Sequence, residues 1–187
     1  MLSRVRAEHN EVFGSTLESS LEALSTQPAL INNLPLTLAV LKEVLRLHPA
    51  GFTVREGLPG STIHFEGRDY PTYGHMISPL TTTLHRDAAI WGENSAEFDP
   101  DRFLDADRHD NAAWQPFEKG PRNCIGQQLA LVETKVIAVL VLRFFDFEAA
   151  FKGHGLSVPG YGGRAYQELK LTAKPKDGIP MRVKIAE

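Results

Sequence analysis

One cysteine stands in 187 residues, so no internal disulfide framework is available and the chain suits a reducing compartment. Charge of neither sign dominates. There are 20 Lys and Arg against 23 Asp and Glu, a formal net charge of −3, and the basic surplus of a nucleic-acid binder is missing. Long apolar runs are missing too. The longest, residues 136–142, falls far short of the roughly 20 residues that cross a bilayer, and the polar start MLSRVRAEHN has no signal-peptide core. The seven histidines form no H-E-x-x-H and no Cys–His cluster at zinc spacing. His48 and His85 adjoin helix ends and read as structural. There is no phosphate-binding glycine loop, no G-x-S-x-G elbow and no G-x-G-x-x-G. Internal repeats and low-complexity segments are likewise absent.

What remains is a globular composition, 42% hydrophobic and 23% charged, in a length that fits one domain, 1–187, with a buried core. Residues 3–13 read as a helix that stops at Gly14. Residues 15–35 are mixed and polar, broken by Pro28 and Pro35. The run LTLAVLKEVLRL, 36–47, is strongly helical and ends at His48-Pro49, since proline disfavours helical geometry before it. Between 52 and 80, Phe52–Val54, Thr62–Phe65 and Met76–Ser78 are short and β-rich, with glycines between them, which predicts one small antiparallel sheet. One helical stretch is expected in 81–92 and a long, aromatic-rich loop over 93–123. Gly126 to about Phe145 reads as a helix, apolar nearly all round in its second half and therefore central. The tail, 147–185, reads as β-hairpins.

Three features carry chemistry. The first is PFEKGPRNCIG, 116–126, which puts Cys124 at a helix start between Gly120 and Gly126, two residues after Arg122. Helix N-termini gather free N–H groups and favour a thiolate, which is a nucleophile or a metal ligand. The glycines allow unusual backbone geometry and close approach of a bulky group. On these residues alone, a buried structural cysteine explains the stretch about as well. The second feature is Glu43-Val44-Leu45-Arg46, whose ends share a helix face. Such a pair is ordinarily a weak surface contact, but an apolar helix suggests burial and hence further partners. The third, Phe98–Phe103, offers Arg102 as that partner.

In this order and spacing the three features resemble the cytochrome P-450 haem-thiolate monooxygenases. The cysteine-loop pattern F-x-x-G-x-R-x-C-x-G is complete in Phe117, Gly120, Arg122, Cys124 and Gly126. E-x-x-R matches Glu43 and Arg46, and the aromatic–proline–arginine loop matches Phe98–Phe103. Leu84-His85-Arg86-Asp87, Trp91 and R-x-E-x-x-x-x-F-G at 6–14 also look like the family. The resemblance implies an α+β, mainly helical fold with small antiparallel sheets, of which this chain is the carboxyl-terminal part. The membrane anchor and the long distal oxygen-binding helix would lie before residue 1. It implies haem b held by Cys124 as axial iron ligand, with Arg122 and Arg55 on the propionates, Phe117 beside the sulfur, and Gly120 and Gly126 aiming N–H groups at it. Glu43, Arg46 and Arg102 would form a buried structural network.

By the same resemblance, one oxygen atom of O2 enters a small apolar organic substrate contacted by Ala50–Val54 and Tyr161–Ala165. The electrons come from an NADPH-dependent diflavin reductase docking near Lys119 and Lys135. The location is the cytosolic face of the endoplasmic reticulum membrane, with a flavour of fungal secondary metabolism. Membrane association would come only through the amino-terminal part. Two other readings stand beside this: an inactive piece without a complete haem pocket, and a cysteine hydrolase, for which no base or oxyanion partner is visible.

Overall fold

The computed structural model describes residues 1–105, 111–150, 167–169, 172–175 and 178–186. Helix α1, Leu2–Phe13, buries Val5, His9 and Phe13, one position per turn, and Gly14 ends it at φ 73°. Helix α2, Leu17–Thr26, lies where the sequence reads only as polar and mixed. Its start is a capping box: Ser19 N–H donates to Thr16 Oγ1 at 3.1 Å and Thr16 N–H to Ser19 Oγ at 3.3 Å. Helix α3, Pro35–Leu47, begins with proline at its first position and stops at His48, as the sequence predicts. Between α2 and α3, residues Pro28–Asn32 make a 3-10 turn that carries Ile31 inward. Phe13, Ile31, Leu34 and Val139 form the buried apolar centre, with Val12, Ala23, Leu24, Leu30 and Val136 against it.

The region after α3 is two separate two-stranded ladders rather than one sheet. Strand β1, Arg55–Glu56, pairs with β4, Met76–Ile77, while β2, Thr62–Phe65, and β3, Arg68–Pro71, form a hairpin between them. Phe52–Val54 is not a strand; pairing starts one residue later. Short helices α4, Thr81–Leu84, and α5, Ala88–Trp91, replace the single expected stretch, because Asp87 caps the second by accepting from Ala89 N–H at 2.9 Å.

Helix α6, Gln127–Leu142, ends three residues short of the expected Phe145. From there the alternation Phe-Asp-Phe-Glu-Ala makes strand β5, Phe145–Ala149, which pairs antiparallel with β8, Met181–Ile185. Strands β6, Gln167–Leu169, and β7, Ala173–Pro175, form the remaining hairpin. The expected central burial of α6 is corrected as well. Ala138 and Val139 are buried, but Leu129, Val132 and Ile137 are exposed, so one face packs and another stays open in this chain. Lys135 lies on the packed face, with Nζ donating to Ile31 O at 2.8 Å and Asn32 Oδ1 at 3.3 Å. Burial pushes its pKa below the usual lysine value. A buried, capped ammonium is no docking charge, which removes Lys135 from the expected reductase surface.

Polar clamps fix α1 against its neighbours. Glu8 accepts from Leu36 N–H at 2.6 Å and Thr37 N–H at 2.9 Å, capping α3. Arg6 donates to Leu142 O at 2.7 Å and Phe145 O at 3.1 Å, at the end of α6. Arg143 reaches back to Asn10, Gly14 O and Ser20. These contacts account for the residue pattern Arg6, Glu8, Phe13, Gly14: two caps, one core side chain and one helix stop.

Candidate functional site

Glu43 and Arg46 face the same way on α3, three residues apart, and both are fully buried. Arg46 Nε and one terminal nitrogen grip the Glu43 carboxylate at 2.7 and 2.8 Å. The remaining donors go to carbonyls of Ser95 at 2.6 Å, Glu97 at 3.0 Å and His85 at 2.5 Å. Glu43 Oε1 also accepts from Asp99 N–H at 2.8 Å and Arg102 Nε at 3.2 Å. Arg102, 3% exposed, donates in turn to Trp91 O at 3.1 Å. The expected three-residue network is therefore present and buried. Each charge is surrounded by partners, as burial demands.

His85 is the member that sequence reasoning set aside as merely structural, and it links the network to the next segment. Its Nε2 accepts from Gln115 N–H at 2.9 Å, so that nitrogen carries no proton, and Nδ1–H donates to Arg46 O at 3.0 Å. A second proton would set two N–H groups against each other. Burial pushes His85 down to about 4, and the neighbouring Arg46 and Arg86 charges lower it further against the Arg46 carbonyl, which raises it. His9 is held at about 4 chiefly by burial too, opposed by Glu8 and assisted by Arg143. Its Nε2 lies 2.7 Å from Thr37 Oγ1, whose hydroxyl donates to Glu8 at 2.6 Å.

Aromatic rings carry this rigidity toward the cysteine. Trp91, Phe103, Trp114 and Phe117 follow one another at centroid spacings of 6.0, 6.1 and 6.1 Å in tilted or edge-on contact. Trp114 Nε1 donates to Lys42 O at 3.0 Å, and the Lys42 ammonium lies 5.7 Å from the Phe103 centroid and 5.6 Å from that of Trp114. Burial lowers the pKa of Lys42. Neither Lys42 nor Trp114 has a spacing signal in the sequence; only the ring content of the loop hinted at packing.

Beyond Phe117 the chain loops out and returns. Cys124 N–H donates to Phe117 O at 2.9 Å, Asn123 N–H to Gly120 O at 3.1 Å, and Glu118 N–H to Gln115 O at 3.2 Å. Gly120 sits at φ 78°, where a side chain would be strained. Gly126 differs from expectation: it caps α6 at φ −86°, ψ 2°, a conformation open to any residue, and an added Cβ would meet Cys124 Sγ only at 3.8 Å. Its smallness is not required by the backbone. Cys124 is exposed, and Ile125 beside it is completely so. That sets aside the reading of Cys124 as a buried structural residue. Arg122 is exposed and makes no hydrogen bond or ion pair among the described residues. Open grooves flank the loop on two sides. One is lined by Pro121, Asn123, Cys124, Ile125, Gln127 and Gln128, the other by Trp114, Phe117, Glu118 and Gly120 among others.

Arg55 approaches from β1. One terminal nitrogen donates to Glu118 Oε2 at 2.7 Å, and the other to Val54 O and Thr53 Oγ1. The guanidinium thus already holds a carboxylate beside the cysteine loop. Glu118, at φ 60°, was not singled out from the sequence. Phe52 and Gly51 line a groove of about 280 Å³ with Ser78–Thr83, Gln167 and Ala173. Tyr161–Ala165 lies outside the described residues.

The donor set decides what this loop could hold. Among the described residues no three His, Cys, Asp or Glu side chains group as metal ligands. A metal at Cys124 would have a single protein donor and must arrive with its other ligands, as iron in a porphyrin does. An exposed sulfur, Arg122 two residues before it, Arg55 paired to the same loop at Glu118 and the exposed Ile125 fit such a flat, carboxylate-bearing group. The loop's open face matches it as well.

Comparison with known proteins agrees with the geometry. The family model described as cytochrome P-450 matches residues 1–157. The cytochrome P-450 monooxygenase ptmG of Penicillium ochrochloron is 40% identical, across 98% of this chain and 34% of its own length. Cytochrome P-450 monooxygenase PC-23 of Penicillium crustosum is 39% identical, across 98% of this chain and 92% of its own. The chain thus spans about a third of one relative and nearly all of the other. Among solved structures, retinoic acid bound cyanobacterial CYP120A1 superposes with a TM-score of 0.77 at 26% identity, over 99% of this chain and 38% of that one. The cytochrome P450DA heme domain gives 0.76 at 25% identity, over 100% and 37%. With the buried Glu43–Arg46–Arg102 network, the complete cysteine loop and these matches in agreement, the chain belongs to the cytochrome P-450 family.

Proposed function

We propose that the chain is the haem-ligating, carboxyl-terminal portion of a monooxygenase that inserts one oxygen atom of O2 into a small apolar organic substrate. The observation that carries this reading is the exposed Cys124, held by the Phe117–Cys124 backbone bond in a loop flanked by open grooves. The fungal relatives, both monooxygenases by name, support it, and a role in fungal secondary metabolism is part of the same proposal. Cys124 would be the axial thiolate and Arg122 and Arg55 would hold the carboxylates of haem b. Phe117 would pack against the ligand side and Gly120 would turn the backbone close to it, with Gly126 opening the helix beneath. When bound, haem supplies the iron at which dioxygen is activated, and a thiolate ligand favours O–O cleavage.

The chain's own contribution is rigidity and charge. The Glu43 network and the ring series hold the loop's root, so the sulfur keeps its aim. Ala50–Val54 would line the substrate side, where Phe52 and Val54 are exposed. Lys119, exposed on the loop, would face an NADPH-dependent diflavin reductase. No helix among the described residues is long and apolar enough to cross a membrane, so attachment to the endoplasmic reticulum would need another segment.

The test is optical. Reduced and exposed to carbon monoxide, the protein should show the red-shifted Soret band of thiolate-ligated haem, and Cys124→His should keep haem but lose that band. A variant that retains the band would overturn the ligand assignment.

A further inference from the structure

Arg55 is the one arginine at the cysteine loop that already grips a carboxylate, and that carboxylate comes from the loop itself. The Arg55–Glu118 ion pair spans 2.7 Å and joins β1 to the segment between Phe117 and Gly120. Both terminal nitrogens of Arg55 are occupied, one by Glu118 and one by Thr53 and Val54 O. Arg122, in contrast, has no partner among the described residues. Glu118 also holds a left-handed backbone, φ 60°, that a glutamate rarely adopts. It lines the groove on the Trp114 side of the loop.

We propose that Glu118 is a placeholder carboxylate: it occupies Arg55 while the cofactor is away and yields that guanidinium to a haem propionate when the cofactor binds. This rests on the reading of Cys124 as the haem ligand. A propionate arriving at Arg55 must either displace Glu118 or sit beside it as a like charge. Each alternative opposes loading: displacement breaks the Arg55–Glu118 hydrogen bond, and a propionate beside Glu118 meets a like charge. In return, the pair ties β1 to the loop and holds the guanidinium beside it. The consequence is a cofactor affinity set below its limit by one residue, and a bond exchange confined to side chains. Ion-pair geometry shifts between two partners, and no covalent bond changes.

The experiment titrates haem, and separately haem dimethyl ester, into the protein as the cell makes it and into Glu118→Gln, Arg55→Gln and the double variant. Binding is read from Soret absorbance and from quenching of tryptophan fluorescence. Removing the competing charge should tighten haem binding in Glu118→Gln by about tenfold. The gain should vanish with the ester, which has no carboxylates to offer, and in the Arg55→Gln background. Equal or weaker haem binding in Glu118→Gln overturns the exchange. So does a gain that persists with the ester, which would make the effect one of fold or overall charge. A Glu118→Gln chain that cannot fold, by circular dichroism, makes the pair structural and overturns it too. If the thiolate band forms in every form of the protein while affinities stay equal, the exchange fails and the ligand assignment stands. Haem uptake by none sinks both.

Discussion

Two arginine clusters lie within this chain and are built on opposite terms. Around Glu43, every charge is buried and every donor has an acceptor within the chain: four hydrogen bonds converge on one carboxylate. Around Cys124, the sulfur and Arg122 are exposed, and Arg122 has no side-chain partner among the described residues. The first region closes on itself by folding, and the second keeps its sulfur and one guanidinium open. At the loop only Arg55 is paired within the chain, through Glu118, so the loop's positioning comes mainly from the neighbouring elements that close on themselves.

That contrast is breakable by measurement. The largest effect is expected from Glu43→Ala, which strands two buried guanidinium groups and should cost about 3–5 kcal/mol, enough to prevent folding. A chain that folds normally by urea denaturation would show that the cluster is not a closed unit. Next comes acid. His9 and His85 each sit at about 4 in the fold against 6.5 when unfolded. Their folded-state values are depressed, so the unfolded chain takes up protons first. Their contribution is complete above pH 6.5, falls as pH drops from there toward 4, and changes no further below. At about 1.4 kcal/mol per unit, each histidine accounts for on the order of 3 kcal/mol across that window. Urea midpoints between pH 7.5 and 4 should record it. His85→Gln, which can still donate and accept, should remove roughly half of the slope. The smallest stability effects belong to the loop. Gly120→Ala should cost about 1 kcal/mol from backbone strain alone, since nothing lies within 4 Å of an added Cβ. Cys124→Ser should change stability by no more than about 0.5 kcal/mol while abolishing the thiolate band. A large loss of stability in Cys124→Ser would erase the distinction between the two regions.

The network was legible because its parts are spaced by the helix period and lie on an apolar helix, which leaves burial as the only consistent place for Glu43 and Arg46. The cysteine loop was legible as a pattern, and Gly120 uses a positive φ that glycine readily adopts. Gly126 does not need its freedom, because a helix cap near φ −86° admits any residue. Helix α2 escaped notice because two hydroxyls, Thr16 and Ser19, create its start in an otherwise polar run. Lys135 misled because a lysine on a helix ordinarily faces water; only the placement of the Ile31 carbonyl, fixed by tertiary packing, makes it a buried donor. The end of α6 was missed for a similar reason. Phe144 and Phe145 follow the apolar run across a single arginine, and only pairing with Met181–Ile185, remote in sequence, makes 145–149 a strand.

Helix α1 has a further consequence. Its polar side chains seize the beginning of α3 through Glu8 and the end of α6 through Arg6, while Arg143, just past α6, reaches back to Asn10 and Gly14. Three anchor points define a plane. The far end of α6 is held at Arg6 and Arg143, its middle at Lys135, and the loop before it by the Phe117–Cys124 backbone bond. Side chains that touch nothing near the cysteine thus share in fixing the helix that follows it.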